Sequence, residues 1–205
     1  MTAHADLHIR RYQPADRDAL YDICLRTGDS GNDATGQYES PTLLGDIYVG
    51  PYVEFEPELA RVLARNDTPV GYVIGTTDST RFFDRCAREW IDPMLERQPE
   101  LTRPPLARRA DDLRPPQHAE LLIDYPAHLH IDLLPDAQGG GWGRRLITAW
   151  LAEVWRRQIA GVHLGVGRNN VRAIGFYGHV GFVELQRDDL AVTFGMRRPQ
   201  TDRST

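Results

Sequence analysis

The sequence contains no lysine, so all 24 of its basic residues are arginine. They are outnumbered by 29 acidic residues, and the formal net charge is −5 at pH 7. Nucleic-acid-binding surfaces are usually basic, so this balance argues against a nucleic-acid partner. The acidic net charge mildly favours cationic partners instead.

Cysteine is scarce and long hydrophobic runs are absent. Cys24 and Cys86 each lie in an apolar helical pattern, which predicts small buried side chains rather than a disulfide or a metal site. No apolar run is long enough to cross a membrane, and residues 1–10 show no hydrophobic signal region. We therefore expect a soluble cytoplasmic protein with no membrane partner, and we leave a homodimer open.

Strand-like and helix-like segments alternate over the 205 residues, a length that suits one domain with a full core. Period-2 patterns predict strands at 7–12, 59–64, 70–77, 127–134, 162–166, 182–186 and 190–196. Helical spacing predicts helices after Pro14 and at 41–48, 82–90, 144–157 and 171–179. We predict a single domain, 1–205, with an irregular insertion at about 79–118.

A glycine-rich turn at 138–143, with the sequence Gln-Gly-Gly-Gly-Trp-Gly, joins a strand to a helix. The helix N-terminus offers unpaired N–H groups and partial positive charge, so it can hold a pyrophosphate. Glycines let phosphates approach the backbone closely. The turn is neither the dinucleotide fingerprint nor a P-loop. Taken alone, it is equally well interpreted as a turn without a ligand.

The turn reads Q-x-x-G-x-G and resembles the acetyl-CoA loop of the GNAT superfamily of N-acetyltransferases. Residues 170–182 read N-x-x-A-x-x-F-Y-x-x-x-G-F and resemble the second signature of the same superfamily. More narrowly, residues 24–28 with the loop through 36, and residues 71–76, 86–90 and 128–131, resemble the acetyltransferase-like domain at the C-terminus of O-GlcNAc hydrolases. The chain looks like a free-standing bacterial relative of that domain.

This resemblance implies an α/β (α+β) GNAT fold with a central, mixed, mostly antiparallel sheet that is split at the middle strands and flanked by helices. It implies an N-acetyltransferase that uses acetyl-CoA as co-substrate, and no metal, to acetylate a primary amine by direct attack without an acetyl-enzyme. The amine acceptor stays unidentified. A catalytically silent acetyl-CoA- or CoA-binding or interaction module is the alternative, and a nucleotide-binding domain is a third.

The resemblance also implies which residues bind the cofactor. Backbone groups of Leu133 and Leu134 would bind the acetyl and pantetheine part, with the Leu133 N–H polarising the thioester carbonyl. N–H groups of the turn would take the pyrophosphate. The predicted cofactor-binding set is Leu133, Leu134, Gln138, Gly139, Gly140, Gly141, Trp142, Gly143, Arg144, Asn170, Ala173 and Tyr177.

The catalytic candidates are Tyr177, Asp132 and His130. The second motif implies that Tyr177 is a general acid, and a packing role is the alternative. Asp132 and His130 share one face of strand 127–134, so either could be the base, although a lone strand histidine is more often structural. The polar loop 29–36 is either a surface turn or a substrate-side loop that offers Asp29 and Asp33 to a cation.

Overall fold

The structure is a computed structural model, and it describes residues 7–104, 106–114 and 120–200. Both ends of the predicted domain, and residues 105 and 115–118 of the predicted insertion, lie outside these ranges. In the described part, the short turn of Pro14–Asp16 opens the first helix. The helices are α1 Arg17–Thr27, α2 Leu43–Tyr48, α3 Gly50–Phe55, α4 Ser79–Glu89, α5 Ile91–Arg97, α6 Ala107–Ala110, α7 Leu121–Asp124, α8 Trp142–Arg156 and α9 Val171–Val180.

Seven strands form one sheet in the order β1-β2-β3-β4-β5-β7-β6. They are β1 Leu7–Arg11, β2 Arg61–Arg65, β3 Thr68–Thr76, β4 Ala127–Leu133, β5 Gly161–Gly167, β6 Val183–Arg187 and β7 Ala191–Arg197. Every neighbouring pair is antiparallel except β4 and β5, which run parallel. The predicted mixed, mostly antiparallel sheet is confirmed.

The sheet is split between β4 and β5. These strands pair only at Ala127 with Val162 and at His128 with His163, and then separate. On its other side, β4 stays paired with β3 as far as Leu133. The split therefore lies between the middle strands, as predicted, and it begins directly after His128 of β4.

Helices cover both faces of the sheet near this split. Helix α8 packs on β2, β3 and β4 through a stripe of fully buried side chains, Leu146, Trp150 and Val154. Trp142, one turn before Leu146, is only partly buried, and its ring lies under the guanidinium of Arg145 at 4.5 Å. Helix α1 packs on β3 and β4.

The predicted insertion is regular over its first half. Helices α4 and α5 bury the stripe of Phe82, Cys86 and Trp90 in the core, as their spacing predicts. The Trp90 indole donates to the Asp46 carbonyl at 2.8 Å, and Gln98 Nε2 donates to the Asp46 carboxylate at 2.7 Å. These bonds attach the insertion to α2. Both cysteines are free and buried, as expected.

Among the helices of the described ranges, none combines the length and the apolar character that a bilayer crossing requires.

Candidate active site

Two adjoining cavities open where β4 and β5 separate. The turn-side cavity, of about 580 Å³, lies beside the glycine turn and the starts of α8 and α9. The insertion-side cavity, of about 910 Å³, extends toward α2, α3 and the insertion. The residues that line both are Thr27, Ser30, Gly31, Ile131, Asp132, Asn170, Ala173 and Tyr177. The two cavities therefore form one cleft that meets at Asp132 and Tyr177.

The register of β4 turns alternate peptide groups toward this cleft. The Leu134 N–H donates to the Val70 carbonyl at 2.9 Å, so these two residues form a hydrogen-bonded pair. Such pairs alternate in an antiparallel ladder, so the N–H and C=O of Leu133 point away from β3, toward the space that β5 has left. The Leu133 carbonyl accepts from Gln138 Nε2 at 2.7 Å. The Leu133 N–H faces the turn-side cavity, as its predicted role requires.

Leu134 does not fit its predicted cofactor role. Its N–H is bonded to Val70, its carbonyl accepts from the Ala137 N–H at 2.9 Å, and its side chain is buried. Both backbone groups are therefore already paired. The alternating pattern of β4 predicts which side chains lie on each face of the sheet. It does not predict the strand register, which decides whether a given N–H or C=O group bonds to β3.

The glycine turn presents bare backbone to the turn-side cavity. Three consecutive residues have left-handed φ angles, Gly139 at 80°, Gly140 at 57° and Gly141 at 78°. A side chain at Gly139 or Gly141 would meet no atom within 4 Å, so the space beside the turn is open. The first bond of α8 runs from the Arg145 N–H to the Gly141 carbonyl at 3.1 Å. The N–H groups of Gly143 and Arg144 precede it and have no backbone acceptor in the described chain.

Besides Leu134, two further members of the predicted cofactor set do not line this cavity. Gly140 lies at the centre of the turn, and Trp142 packs beneath Arg145. They shape the turn, whereas Gln138, Gly139, Gly141, Gly143 and Arg144 line the space next to it. The open glycines thus form one wall, and the start of α8 forms the end.

The charges along the turn-side cavity favour an anion at its outer end. Arg144 and Arg172 line it, and Asp132, at the junction of the two cavities, is the one acidic residue among its described lining. The positive end of the α8 dipole adds to the two guanidinium groups. An elongated ligand with an anionic end therefore suits this cavity.

The arm of such a ligand would meet unsatisfied polar groups. Gln138 Oε1 is buried and has no hydrogen-bond partner among the described residues. Leaving a buried acceptor unpaired costs about 1–3 kcal/mol, so a shift of the Gln138 side chain that opens this oxygen to a ligand N–H would be stabilising. Asn170 Oδ1 accepts from the Ala173 N–H at 3.0 Å and caps α9, which leaves the Asn170 amide nitrogen for the ligand.

Tyr177 lies where the two cavities meet. Its ring packs against Phe182 and Phe194 at centroid distances of 5.9 and 5.8 Å, and the residue is 8% exposed. Its hydroxyl makes no hydrogen bond to a described residue and is not sealed from the cavity. Burial, and then the negative charge of Asp132, raise the pKa of Tyr177 above its ordinary value. The phenol therefore stays protonated and can donate.

The two candidate bases differ in what holds them. The Asp132 carboxylate accepts from the Tyr72 hydroxyl at 2.5 Å, and burial raises its pKa above the usual value. His130 Nε2 lies 3.0 Å from the Tyr52 hydroxyl. Burial, and then the proximity of His163, lower the pKa of His130 to about 4, so the imidazole is neutral at pH 7.

Asp29 and Asp33 do not reach the cleft. Neither lines a cavity; Asp29 accepts from the Gln37 amide at 3.2 Å, and Asp33 accepts from the Thr35 N–H at 2.8 Å. Their loop does approach the site, but it brings Ser30 and Gly31 there instead. The predicted cation-binding role of the two carboxylates is therefore not supported, because local turn bonds hold them.

Sequence reasoning missed the wall of the insertion-side cavity. Burial raises the pKa of Asp112, whose Oδ2 accepts from the Tyr48 hydroxyl at 2.5 Å, and Arg109 donates to that hydroxyl at 3.3 Å. Tyr52, one turn along, also lines this cavity. The four-residue spacing of the tyrosines was the available signal, whereas the pairing with Asp112 spans 64 positions.

Among the described residues, no cluster of three His, Cys, Asp or Glu could hold a metal.

Comparison with known proteins shows the family and the fold. The model of the acetyltransferase (GNAT) family matches residues 32–182. The crystal structure of SsHAT has a TM-score of 0.85 and 36% identity, and the match covers 95% of this chain and 100% of that one. The structure of yncA from Salmonella typhimurium, with its cofactor acetyl-CoA, has a TM-score of 0.57 at 14% identity over 97% of this chain and 98% of that one, which shows a likeness of fold.

A curated relative extends beyond this chain. Protein O-GlcNAcase of Rattus norvegicus is 25% identical over 186 residues, which are 87% of this chain and 20% of the rat protein. The chain thus spans about a fifth of the length of the curated relatives that it matches. The family match covers most of the chain and includes both predicted motifs, up to Phe182. The chain therefore belongs to the acetyltransferase (GNAT) family.

Proposed function

We propose that this protein is an acetyl-CoA-dependent N-acetyltransferase that acetylates a primary amine by direct attack. One observation carries the proposal: the open edge of β4 turns the Leu133 N–H into a cavity that runs from the bare start of α8 to Tyr177. An N–H group at that place can polarise a carbonyl, and the protonated phenol beside it can donate to a leaving group.

The turn-side cavity fits acetyl-CoA, which would supply an acetyl thioester and a thiolate leaving group. The N–H groups of Gly143 and Arg144 and the Arg172 guanidinium would bind its phosphates. The free amide nitrogen of Asn170 would bind its amide-bearing arm, and the Gln138 oxygen would join it once the Gln138 side chain shifts to open that oxygen to the cavity. Holding both reactants in one cleft accounts for much of the rate in such reactions, up to about 7–11 kcal/mol.

The insertion-side cavity would receive the amine. The Asp132 carboxylate at the junction would attract a cationic amine, which loses one proton to solvent before it attacks. Neutral His130 then takes the second proton, which the nitrogen loses as the C–N bond forms. Tyr177 gives its proton to the departing sulfur. Cys24 also lines this cavity, but burial raises the pKa of its thiol, which makes it a poor nucleophile and supports transfer without an acetyl-enzyme.

The cofactor assignment is tested with two variants of one glycine. Gly141→Asn and Gly141→Asp both place a side chain at a φ of 78°, a conformation that both residues tolerate better than most, and only the aspartate adds a negative charge. We expect the aspartate variant to bind acetyl-CoA at least about tenfold more weakly than the asparagine variant, a difference of about 1.4 kcal/mol. Calorimetry measures both. Equal affinities in folded variants would contradict phosphate binding at this turn.

Turnover separates the proposed enzyme from the alternatives. The wild-type protein is incubated with acetyl-CoA and a panel of primary amines and peptides, and free thiol is measured. We expect transfer to at least one amine. Tight binding of CoA without transfer to any member would favour a silent binding module, and tighter binding of ATP or NAD than of CoA would favour a nucleotide-binding domain.

A further inference from the structure

Behind His130 an unbroken chain of hydrogen bonds runs through four side chains. Ser79 Oγ lies 2.6 Å from the Pro126 carbonyl oxygen and 2.7 Å from His128 Nδ1. His128 Nε2 lies 2.8 Å from the Tyr52 hydroxyl, which in turn lies 3.0 Å from His130 Nε2. Ser79 and His128 are buried, and Tyr52 is 2% exposed.

The Pro126 carbonyl, at the end of this hydrogen-bond chain, determines which atom donates in each of its hydrogen bonds. A carbonyl cannot donate, so the single Ser79 proton goes to Pro126, and Ser79 Oγ accepts from His128 Nδ1. A neutral imidazole has one proton, so His128 Nε2 accepts from the Tyr52 hydroxyl. The Tyr52 oxygen, its proton used, accepts from His130 Nε2. His130 Nδ1 is therefore bare.

The reverse order of protons is unfavourable. If Ser79 donated to His128, its oxygen and the Pro126 carbonyl oxygen would stand 2.6 Å apart with no proton between them. Burial lowers the pKa of both His128 and His130, which agrees with two neutral rings. The bare Nδ1 of His130 has no hydrogen-bond partner among the described residues and is not sealed from the insertion-side cavity, which His130 lines.

We propose that Ser79, His128 and Tyr52 are positioning residues that fix the tautomer of His130, so that its unprotonated Nδ1 faces the acceptor amine. The role in transfer rests on the proposed function, whereas the proton order rests on the hydrogen-bond chain alone. The amine N–H bond breaks and an Nδ1–H bond forms, so His130 becomes an imidazolium. Its Nε2–H goes on donating to Tyr52, so no other proton in the chain has to move.

The proton order is measured directly in the wild-type protein. Two-bond proton–nitrogen correlation spectra of ¹⁵N-histidine-labelled protein at pH 7 report the tautomer of each of the seven histidines. The variants His128→Asn and His130→Asn assign the two signals. We expect an Nδ1–H tautomer for His128 and an Nε2–H tautomer for His130. An Nε2–H tautomer at His128, or an Nδ1–H tautomer at His130, would overturn the inference.

A variant at the far end of the chain tests the effect on catalysis. Ser79 lines neither cavity, so Ser79→Ala acts on His130 only through the chain. Without the hydroxyl, His128 is expected to move its proton to Nε2, which turns the Tyr52 proton toward His130 and leaves an Nδ1–H there. We expect kcat to fall about tenfold or more while the KM for acetyl-CoA is unchanged, and Ser79→Thr to restore both kcat and the tautomer.

The matched control is Tyr21→Phe, which removes a hydroxyl bonded to Asp46 at 3.1 Å outside the cleft. This control is expected to keep the kcat and both tautomers of the wild type. An unchanged kcat in folded Ser79→Ala, with a switched tautomer at His130, would overturn the positioning role. If no amine is acetylated although both wild-type tautomers match, the proposed function fails and the positioning role fails with it, whereas the proton order stands.

Discussion

At the residue scale, Tyr177 illustrates how surroundings prepare one side chain for a task. The hydroxyl of an exposed tyrosine is hydrogen-bonded to water, whereas the ring of Tyr177 is enclosed by Phe176, Phe182 and Phe194. Burial and the nearby Asp132 raise its pKa, so the hydroxyl keeps its proton near neutral pH and is a hydrogen-bond donor. A thiolate released at the junction of the two cavities would accept this hydrogen bond and then the proton as the C–S bond breaks.

Tyr177→Phe keeps this ring packing and removes only the hydroxyl. If the hydroxyl protonates the leaving sulfur, kcat should fall by about 10²-fold, because general acids contribute typically 10²–10⁴-fold. Acetyl-CoA affinity should change little, since the phosphate and arm contacts remain. Steady-state kinetics and calorimetry measure the two quantities, with Tyr12→Phe, outside the cleft, as the control. An undiminished kcat would make Tyr177 a packing residue.

Sequence reasoning at this scale succeeded where a motif fixes a position within its own element. Tyr177 and Asn170 share one helix and its cap, so their mutual placement was given by helical spacing. Tyr52 and Ser79 were missed because their bonds to His128 cross 76 and 49 positions. Asp33 was predicted at the site but bonds within its own turn, because a loop aspartate can bond to either a ligand or its own backbone, and composition does not distinguish the two.

At the element scale, β4 and β5 bring three histidines into the interior. Burial lowers the pKa values of His128, His130 and His163, that of His130 to about 4. In the unfolded chain, a histidine binds a proton below about pH 6.5. Between pH 6.5 and 4 the unfolded state therefore holds protons that the native state does not. Stability contributed by the neutral rings is complete above pH 6.5 and is lost as the pH falls.

We predict that His130→Gln flattens this dependence. Between pH 6.5 and 5 the free energy of unfolding of the variant should fall less steeply than that of the wild type, by up to about 1.4 kcal/mol per pH unit for one proton. Urea unfolding at pH 7.5, 6.5, 5.5 and 5.0 measures both slopes. His179→Gln, an exposed position, serves as the control. Parallel slopes for His130→Gln and the wild type would contradict a depressed pKa at His130.

The strands were largely predictable because their signals are local. The turn at Asn66 and Asp67 joins β2 to β3 with left-handed φ angles of 47° and 66°, which these two residue types tolerate. The insertion was harder, because its second half is held by distant contacts. Glu100 accepts from the backbone N–H groups of Glu39 and Ser40, about 60 positions away. The hydrophobic pattern within the insertion cannot predict such long-range hydrogen bonds.

At the scale of the whole molecule, the missing lysines make the protein a poor acceptor for the proposed transfer of acetyl groups to amines. Arginine stays protonated and attacks thioesters poorly, so the α-amino group is the one ordinary amine of the chain. Its pKa near 8 leaves part of it free at neutral pH. Burial raises the pKa of Cys24, and raises that of Cys86 to about 12, so both thiols should react slowly.

We therefore predict at most one hydroxylamine-resistant acetyl group on untagged protein after long incubation with acetyl-CoA, attached to the N-terminal peptide. Intact mass and peptide mapping before and after hydroxylamine treatment measure this. Acetyl groups on the two thiols should be removed by hydroxylamine. Two or more resistant groups, or one on a hydroxyl side chain, would contradict amine-only transfer.

The short pairing between β4 and β5 has a mechanical consequence. The sheet consists of two sub-sheets, β1 to β4 and β5 to β7, which pair with each other only at two residue pairs at one end of the β4–β5 boundary, so this end can act as a hinge. A ligand lying in the gap would restrict the motion of the two sub-sheets relative to each other, because it would bond to the free edge of β4 and to the start of α9. Any ligand that binds only the native state also stabilises it, and here the added stability would be concentrated across the hinge. The protein would then be most rigid with the ligand bound and most mobile after product release, so each turnover would alternate between a rigid and a mobile state of the sheet.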